Sequence, residues 1–349
     1  MITTQQHGAD AGSRRQFCHG LGAFLGSAAA GTGLATVAGA RPGAALAQAA
    51  FPARPLRIVV PYPAGGATDY VARLTAERLS KALGQPVIVD NRSGAAGAIG
   101  VAEAARAKPD GHTLLFTISD PLINNTALFK SLPYDPRKDL AFVGQILLSP
   151  TLLSASPEAG IRRFDDLRAK VSARTRLSYA SWGTGGLGHL QGETLNRALK
   201  ADMVHVPQRG EGPVVTDLLG NNVSVGLSSV STALQHVQGG KIVPLAVMMK
   251  QRSTAMPNVS TLRELGFPDP IFESSVWMSA LVPAGTPSDL VTLLTRHIQQ
   301  ILDDKEVRGA LIDRGFEMLV TGPEQASTHH RSEFDLITAR IRELGIEPQ

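Results

Sequence analysis

The strongest constraint on this chain is an alternation that recurs along it. A short run rich in β-branched residues leads into a glycine-rich loop, and the loop leads into a segment with apolar residues at helical spacing. Leu56–Val60 is the first such run. Pro61-Tyr62-Pro63-Ala64-Gly65-Gly66-Ala67 follows as a loop, and Thr68-Asp69 opens a helix over 70–83 that Gly84 closes. The same pattern predicts strands at 87–89, 113–118, 177–180, 203–206, 223–227 and 242–247, with helices at 98–107, 189–199 and 214–219. Short strands alternating with helices build parallel sheets covered by helices. With 349 residues, 43% of them hydrophobic, the chain can bury two cores. No tandem repeat of solenoid period is present.

Two stretches interrupt the alternation. Residues 121–139 are irregular around Pro133-Tyr134-Asp135-Pro136, and 272–282 precede Pro283-Ala284-Gly285-Thr286-Pro287. Each reads as a passage between lobes, so the helices beyond Pro287 return to the first lobe. The expected division is 52–145 with 277–349 as lobe 1, and 146–276 as lobe 2. The fold class is α/β: two lobes with mainly parallel sheets and two crossings.

The first 47 residues stand apart. Ser13-Arg14-Arg15-Gln16-Phe17 is a twin-arginine pattern, 17–40 is apolar and small, and Ala45-Leu46-Ala47 offers a small-x-small cleavage site. Together they read as a signal peptide cleaved after Ala47, and hence as export to the periplasm. The single cysteine, Cys18, would leave with it. No disulfide or cysteine metal ligand is then expected.

Chemistry is expected in the loops between strand and helix. In open parallel sheets ligands bind beyond the carboxyl ends of the strands. There a helix N-terminus offers unpaired N–H groups and partial positive charge, an anion site that needs no basic side chain. The first such loop is Tyr62 with Ala64, Gly65, Gly66, Ala67, Thr68 and Asp69. It is either a carboxylate cradle or a plain turn, with Asp69 capping the helix or accepting from a ligand. The second runs through Ser181, Trp182, Gly183, Thr184, Gly185, Gly186 and Gly188 to His189. It resembles a dinucleotide fingerprint only loosely, because Val206 is followed by Pro207 where the ribose-binding acid is required. Softer candidates are the Asn91-Arg92-Ser93 loop, Arg209 and Gly210, and the hydroxyls of Ser119, Ser228 and Ser229.

Other functions are poorly served. There is no P-loop and no His-Glu-x-x-His. The nearest approach to a nucleophile elbow, Tyr179-Ala180-Ser181-Trp182-Gly183, lacks its first glycine. His112, His205, His236 and His297 are scattered. His329 and His330 are neighbours on one helix and do not share a face, so neither a metal nor another cofactor is expected. A formal charge of +4 without a basic block gives no nucleic-acid footprint.

Several runs taken in order carry a family resemblance. They are Leu56-Arg57-Ile58-Val59-Val60-Pro61 with Gly65-Gly66-Ala67-Thr68-Asp69, then Gly84-Gln85-Pro86-Val87-Ile88-Val89-Asp90-Asn91-Arg92 and Pro109-Asp110-Gly111-His112-Thr113. Leu132-Pro133-Tyr134-Asp135-Pro136, Tyr179-Ala180-Ser181, His205-Val206-Pro207, Thr216-Asp217-Leu218-Leu219-Gly220 and Pro283-Ala284-Gly285-Thr286-Pro287 follow. From about Pro55 onward the chain resembles the periplasmic substrate-binding proteins of tripartite tricarboxylate transporters, the Bug group. The resemblance implies a type II periplasmic-binding-protein fold with a ligand enclosed between the lobes. It also implies a small organic anion as ligand, held largely by backbone amides, and membrane transport subunits as partners. Carried over by position, the site is 64–69 facing 181–186, with 208–212 beside them.

The chain departs from that pattern in three places. Ala64-Gly65-Gly66-Ala67 lacks a hydroxyl, Gln208-Arg209 replaces Tyr-Lys, and Leu227-Ser228 stands where an acidic residue is usual. The missing carboxylate favours a neutral or purely anionic ligand over an amino-bearing one. A monomeric binding protein is the leading expectation. A sensor that signals to a membrane receptor, or an exported enzyme using the same cleft, are the rivals.

Overall fold

The structure, a computed structural model, describes residues 51–348. The expected signal peptide with its cleavage site, and Cys18, lie outside the described residues.

The first segment is β1 (Leu56–Val60), α1 (Ala67–Leu83), β2 (Val87–Asn91), α2 (Ala98–Ala105) and β3 (Thr113–Ile118). Leu56, Ile58, Val59 and Val60 are fully buried, as a strand with helices on both faces requires. α1 buries Val71, Ala72, Thr75, Ala76 and Leu79, a single stripe at helical spacing. It stops at Gly84, whose φ of +66° lets its N–H bond the Ser80 carbonyl at 3.0 Å. Two short helices follow, α3 (Ser119–Leu122) and α4 (Asn124–Leu128), and then β4 (Leu140–Ser149).

After Pro150 the chain enters a second sheet. Its elements are β5 (Thr151–Ala155), α5 (Phe164–Ser172), β6 (Ser178–Ser181), α6 (Leu187–Ala198), β7 (Val204–Pro207), α7 (Glu211–Leu219), β8 (Val225–Ser229), α8 (Val230–Gln238) and β9 (Val243–Met248). β10 (Val276–Pro283) returns to the first sheet. α9 (Ser288–Asp303), α10 (Lys305–Ile312), β11 (Glu317–Met318) and α11 (Pro323–Glu343) complete the chain.

The two sheets run β11-β4-β10-β3-β1-β2 and β7-β6-β8-β5-β9. Their outer portions, β2-β1-β3 and β7-β6-β8, are parallel, as the alternation predicts. The sheets as wholes are mixed, however. β10 lies antiparallel to β3 and β4, β11 to β4, and β5 to β8 and β9. The strands that carry the chain between sheets enter each one against the grain of the βα units. Such a reversal leaves no mark on hydrophobic period, so the expectation of mainly parallel sheets was too simple.

One core packs Val143, Met278 and Phe316 with α1, α9 and α10 on one face of the first sheet. A second runs through the middle of the molecule, from Phe142 and Trp277 to Leu153 and Leu227, with α11 over it. α11 braces both sheets. Arg340 pairs with Asp269 at 3.0 Å, and Glu333 accepts from Ser274 at 3.0 Å beside the second passage.

Candidate functional site

The carboxyl ends of β1, β3 and β8 and the start of α7 meet at a cleft between the sheets. Its inner cavity of about 120 Å³ is lined by Ala67, Thr68 and Ile118 from the first lobe and by Glu211, Ser229 and Ser231 from the second. Phe316 lies in its wall and also in that of a mouth of about 620 Å³, beside Gly65, Gly66, Tyr70, Thr232 and Arg314. The Arg314 guanidinium stands 3.9 Å over the Tyr70 ring. No Lys, Arg or His lines the inner cavity among the described residues.

The first loop is built by its own acid. Asp69 is buried, and its carboxylate accepts from the Gly65 N–H at 2.9 Å, Arg73 Nε at 2.9 Å and Asn91 Nδ2 at 3.0 Å. Burial alone would raise its pKa, but these donors outweigh that and hold the carboxyl below its usual range. Asp69 is thus committed to shaping the loop. Gly65, at φ +87°, turns the chain so that α1 starts at the cleft without a side-chain cap. Its first N–H groups have no partner within the helix. Ala64 is exposed on the same loop.

The second loop rests on two histidines. Gly185 donates its N–H to His189 Nδ1 at 3.0 Å, and Ser181 Oγ meets His205 Nε2 at 2.8 Å. The two imidazoles stack at 4.0 Å, with Tyr179 against the far face of His205 at 4.8 Å. Burial lowers the pKa of both, that of His205 to about 4 with further repulsion from His189. Neutral rings are what this geometry needs, since a protonated Nδ1 cannot accept from Gly185. Gly183, Thr184, Gly185 and Gly186 therefore form a braced turn in front of α6, whose N-terminus also carries no side-chain cap.

α7 and α8 add two more helix starts. Gly210, at φ +117°, precedes Glu211, and Ser229 caps α8 through the Thr232 N–H at 3.2 Å. Glu211 Oε2 accepts the hydroxyls of Ser229 and of Thr232, the latter at 2.6 Å. Arg209 is exposed. Ser228 is fully buried within β8 with an unpartnered Oγ, so Ser229 rather than Ser228 lines the cavity.

One acid was missed by the sequence reading. Asp120, next to the buried Ser119, has a fully buried Oδ1 without a hydrogen-bond partner, and Tyr62 Oη is in the same state. Burial raises the Asp120 carboxyl to about 6; nearby Trp182 and Ser119 lower it, and the Glu211 charge raises it further. Burial also raises the Tyr62 hydroxyl. Leu227-Ser228 offers no carboxylate, but Glu211 brings one to the inner cavity from α7. Among the described residues no group of three or more His, Cys, Asp or Glu side chains is placed to hold a metal, and no helix is long and apolar enough to cross a membrane.

Two α/β lobes, with the uncapped starts of α1 and α7 at a cleft between their sheets, define a two-lobed binding protein of the periplasmic type. Residues 71–346 match the family model of the tripartite tricarboxylate transporter family receptor, and the chain belongs to that family. It is 35% identical to protein BugT of Bordetella pertussis over 297 residues, 84% of this chain and 90% of the relative. A Rhodopseudomonas palustris protein solved with adipate superposes with a TM-score of 0.78 at 29% identity, covering 86% of this chain and 100% of that one. MatC from the same organism, solved with bound malate, gives a TM-score of 0.71 at 31% identity over 83% and 100% of the two chains.

Proposed function

We propose that this chain is an exported solute-binding protein that captures a small carboxylate between its lobes and delivers it to the membrane subunits of a tripartite tricarboxylate-type uptake system. The observation that carries this reading is a cavity between the sheets that meets the uncapped α1 N-terminus at Ala67 and Thr68 and the uncapped α7 N-terminus at Glu211, with no basic side chain in its wall. Backbone N–H groups and helix dipoles supply the positive potential, and a ligand touching both lobes favours the closed arrangement. Family membership and the adipate and malate bound by two relatives support the same chemistry. The ligand residues are Tyr62, Ala64, Gly65, Gly66, Ala67, Thr68, Asp69 and Ser119 from the first lobe, and Ser181, Gly183, Thr184, Gly185, Gly186, His189, Arg209 and Gly210 from the second, with Ser229 in place of the buried Ser228. Asp69 and His189 serve by holding their loops. Lobe 1 comprises 52–145 with 277–349 and lobe 2 comprises 146–276. The protein acts as a periplasmic monomer after removal of residues 1–47, and binds its ligand without turning it over.

The test is a thermal-shift screen of the purified protein against mono-, di- and tricarboxylates, aromatic acids, amino acids and neutral vitamins. A ligand at ~100 times its Kd adds roughly 2.7 kcal/mol, a shift of a few degrees. Stabilisation only by neutral compounds, or consumption of the stabilising compound, would sink the reading. N-terminal sequencing of periplasmic material tests cleavage after Ala47.

A further inference from the structure

The inner cavity and the mouth share three wall residues, Ala67, Ser231 and Phe316. Ala67 and Ser231 are small, so Phe316 is the one large side chain of the three where the two spaces adjoin. It is 3% exposed and belongs to the first lobe's core with Met278. The backbone on either side of it is pinned by the second lobe. Gly315 precedes it at φ +84°, and a Cβ there would stand 3.1 Å from the Ser231 Cα at the start of α8. Glu317 follows it and accepts from Ser253 Oγ at 2.8 Å and Thr254 Oγ1 at 2.7 Å, in the loop beyond β9. Close packing and these two anchors hold the ring at the boundary. Inside that boundary the wall is polar at Thr68, Ser149 and Ser229 and apolar at Ile118, Leu147 and Met278.

We propose that Phe316 sets the chain length of the ligand: its ring closes the inner cavity toward the mouth, so that a short carboxylate fits and a longer one is rejected. This rests on the carboxylate reading above and adds a size limit to it. The ligand carboxylate meets the polar side at the α1 start. Its carbon chain lies along the apolar side and ends against Phe316. The inner cavity has about 120 Å³ and the mouth about 620 Å³. Space for a longer chain therefore exists next door, and one ring withholds it. A close-packed wall meets an extra methylene by collision rather than by yielding.

Calorimetric titration with two homologous series tests this, monocarboxylates from propionate to octanoate and dicarboxylates from malonate to suberate. In the series that binds, affinity should peak no later than pentanoate or glutarate and drop about tenfold or more for each methylene past the peak. Phe316→Ala should join the two spaces and move the peak to a longer member, while the short acid binds more weakly for want of the ring. Phe316→Leu, which leaves the core better filled, should move the profile the same way by less. A fold defect would lower every member by a common factor and leave the peak in place, so the position of the peak separates selection from damage. A parent whose affinity is flat or peaks at a longer acid, or variants whose peak stays at the parent's member, overturns the length limit and leaves the carboxylate site standing. If no member of either series binds, the length limit falls, and the thermal-shift screen with its aromatic and tricarboxylic acids decides the carboxylate reading separately.

Discussion

The side-chain amide of Asn124 donates to the backbone carbonyl of Gly185 at 2.8 Å, joining α4 of the first lobe to the glycine loop of the second. Asn124 is buried, and the bond is one of the few polar ties made directly at the cleft loops. Replacing it with Ala leaves a buried carbonyl unpaired, a cost of about 1–3 kcal/mol that falls on the state in which the lobes touch. Asn124→Ala should therefore raise the ligand Kd by roughly tenfold with a smaller effect on the Tm of the ligand-free protein. Calorimetry and thermal melts on the same samples check the split. An equal loss in both would assign Asn124 to the fold rather than to closure.

Gly185 itself tests how tightly the lobes meet. Its φ is +78°, and a Cβ there would run into the Leu128 side chain of α4. Gly185→Ala should cost about 1 kcal/mol from the left-handed backbone and more from the collision. Pairing it with Leu128→Ala should recover the steric part of the lost affinity and none of the backbone part. A double-mutant cycle with a coupling near zero would show that the two residues do not press on each other when ligand is bound.

Much of this site can be read in the sequence, and what cannot has identifiable causes. The strand–glycine loop–helix order places 62–69 and 181–186 at strand ends, because β-branched runs and helical stripes carry their own periods. Asp120 gave no such signal. It lies in the short helix α3 just after a strand, and its shifted carboxyl owes to burial together with Trp182 and Glu211 of the other lobe, which no local pattern encodes. The His189–His205 stack is likewise a long-range fact, although His189 standing four residues after Gly185 at a helix start was a readable hint of a ring capping its own loop. The antiparallel entry of β4, β5 and β10 depends on the passage between sheets, which composition does not record.

Acid should open the second loop. Tyr179, Ser181 and Glu193 surround the His189–His205 pair, and burial holds both rings below the usual histidine pKa, His205 at about 4. Between pH ~6.5 and 4 the unfolded chain binds more protons than the folded one. Stability from these rings is therefore full above that window and declines as pH falls through it. Ligand affinity should fall with it, because a protonated His189 releases the Gly185 N–H. His205→Asn should flatten the pH dependence of the Tm between 6.5 and 4. An unchanged slope would mean that the stack does not titrate with folding.

Two carboxyls should produce the opposite slope. Burial raises Asp120 to about 6 and Glu333 to about 7, the latter only partly relieved by the Ser274 hydroxyl. Glu333 also lies 4.0 Å from His329, which burial keeps toward its neutral form, so no full opposite charge compensates it. A carboxyl whose folded pKa is raised holds its proton longer in the native state than in the unfolded chain. Its stabilising contribution is complete below pH ~4 and is lost as pH rises through the folded value. Glu333→Gln removes the ionisation while keeping an acceptor for Ser274, beside the passage from β9 into β10. At pH 8 the variant should be more stable than the parent by roughly 2–3 kcal/mol at most. The difference should shrink steadily on acidification and vanish near pH 4. Urea melts of both proteins at pH 4, 6 and 8 decide it. A stability gap independent of pH would mean that Gln improves packing at α11, and that Glu333 titrates no differently in the folded and unfolded protein.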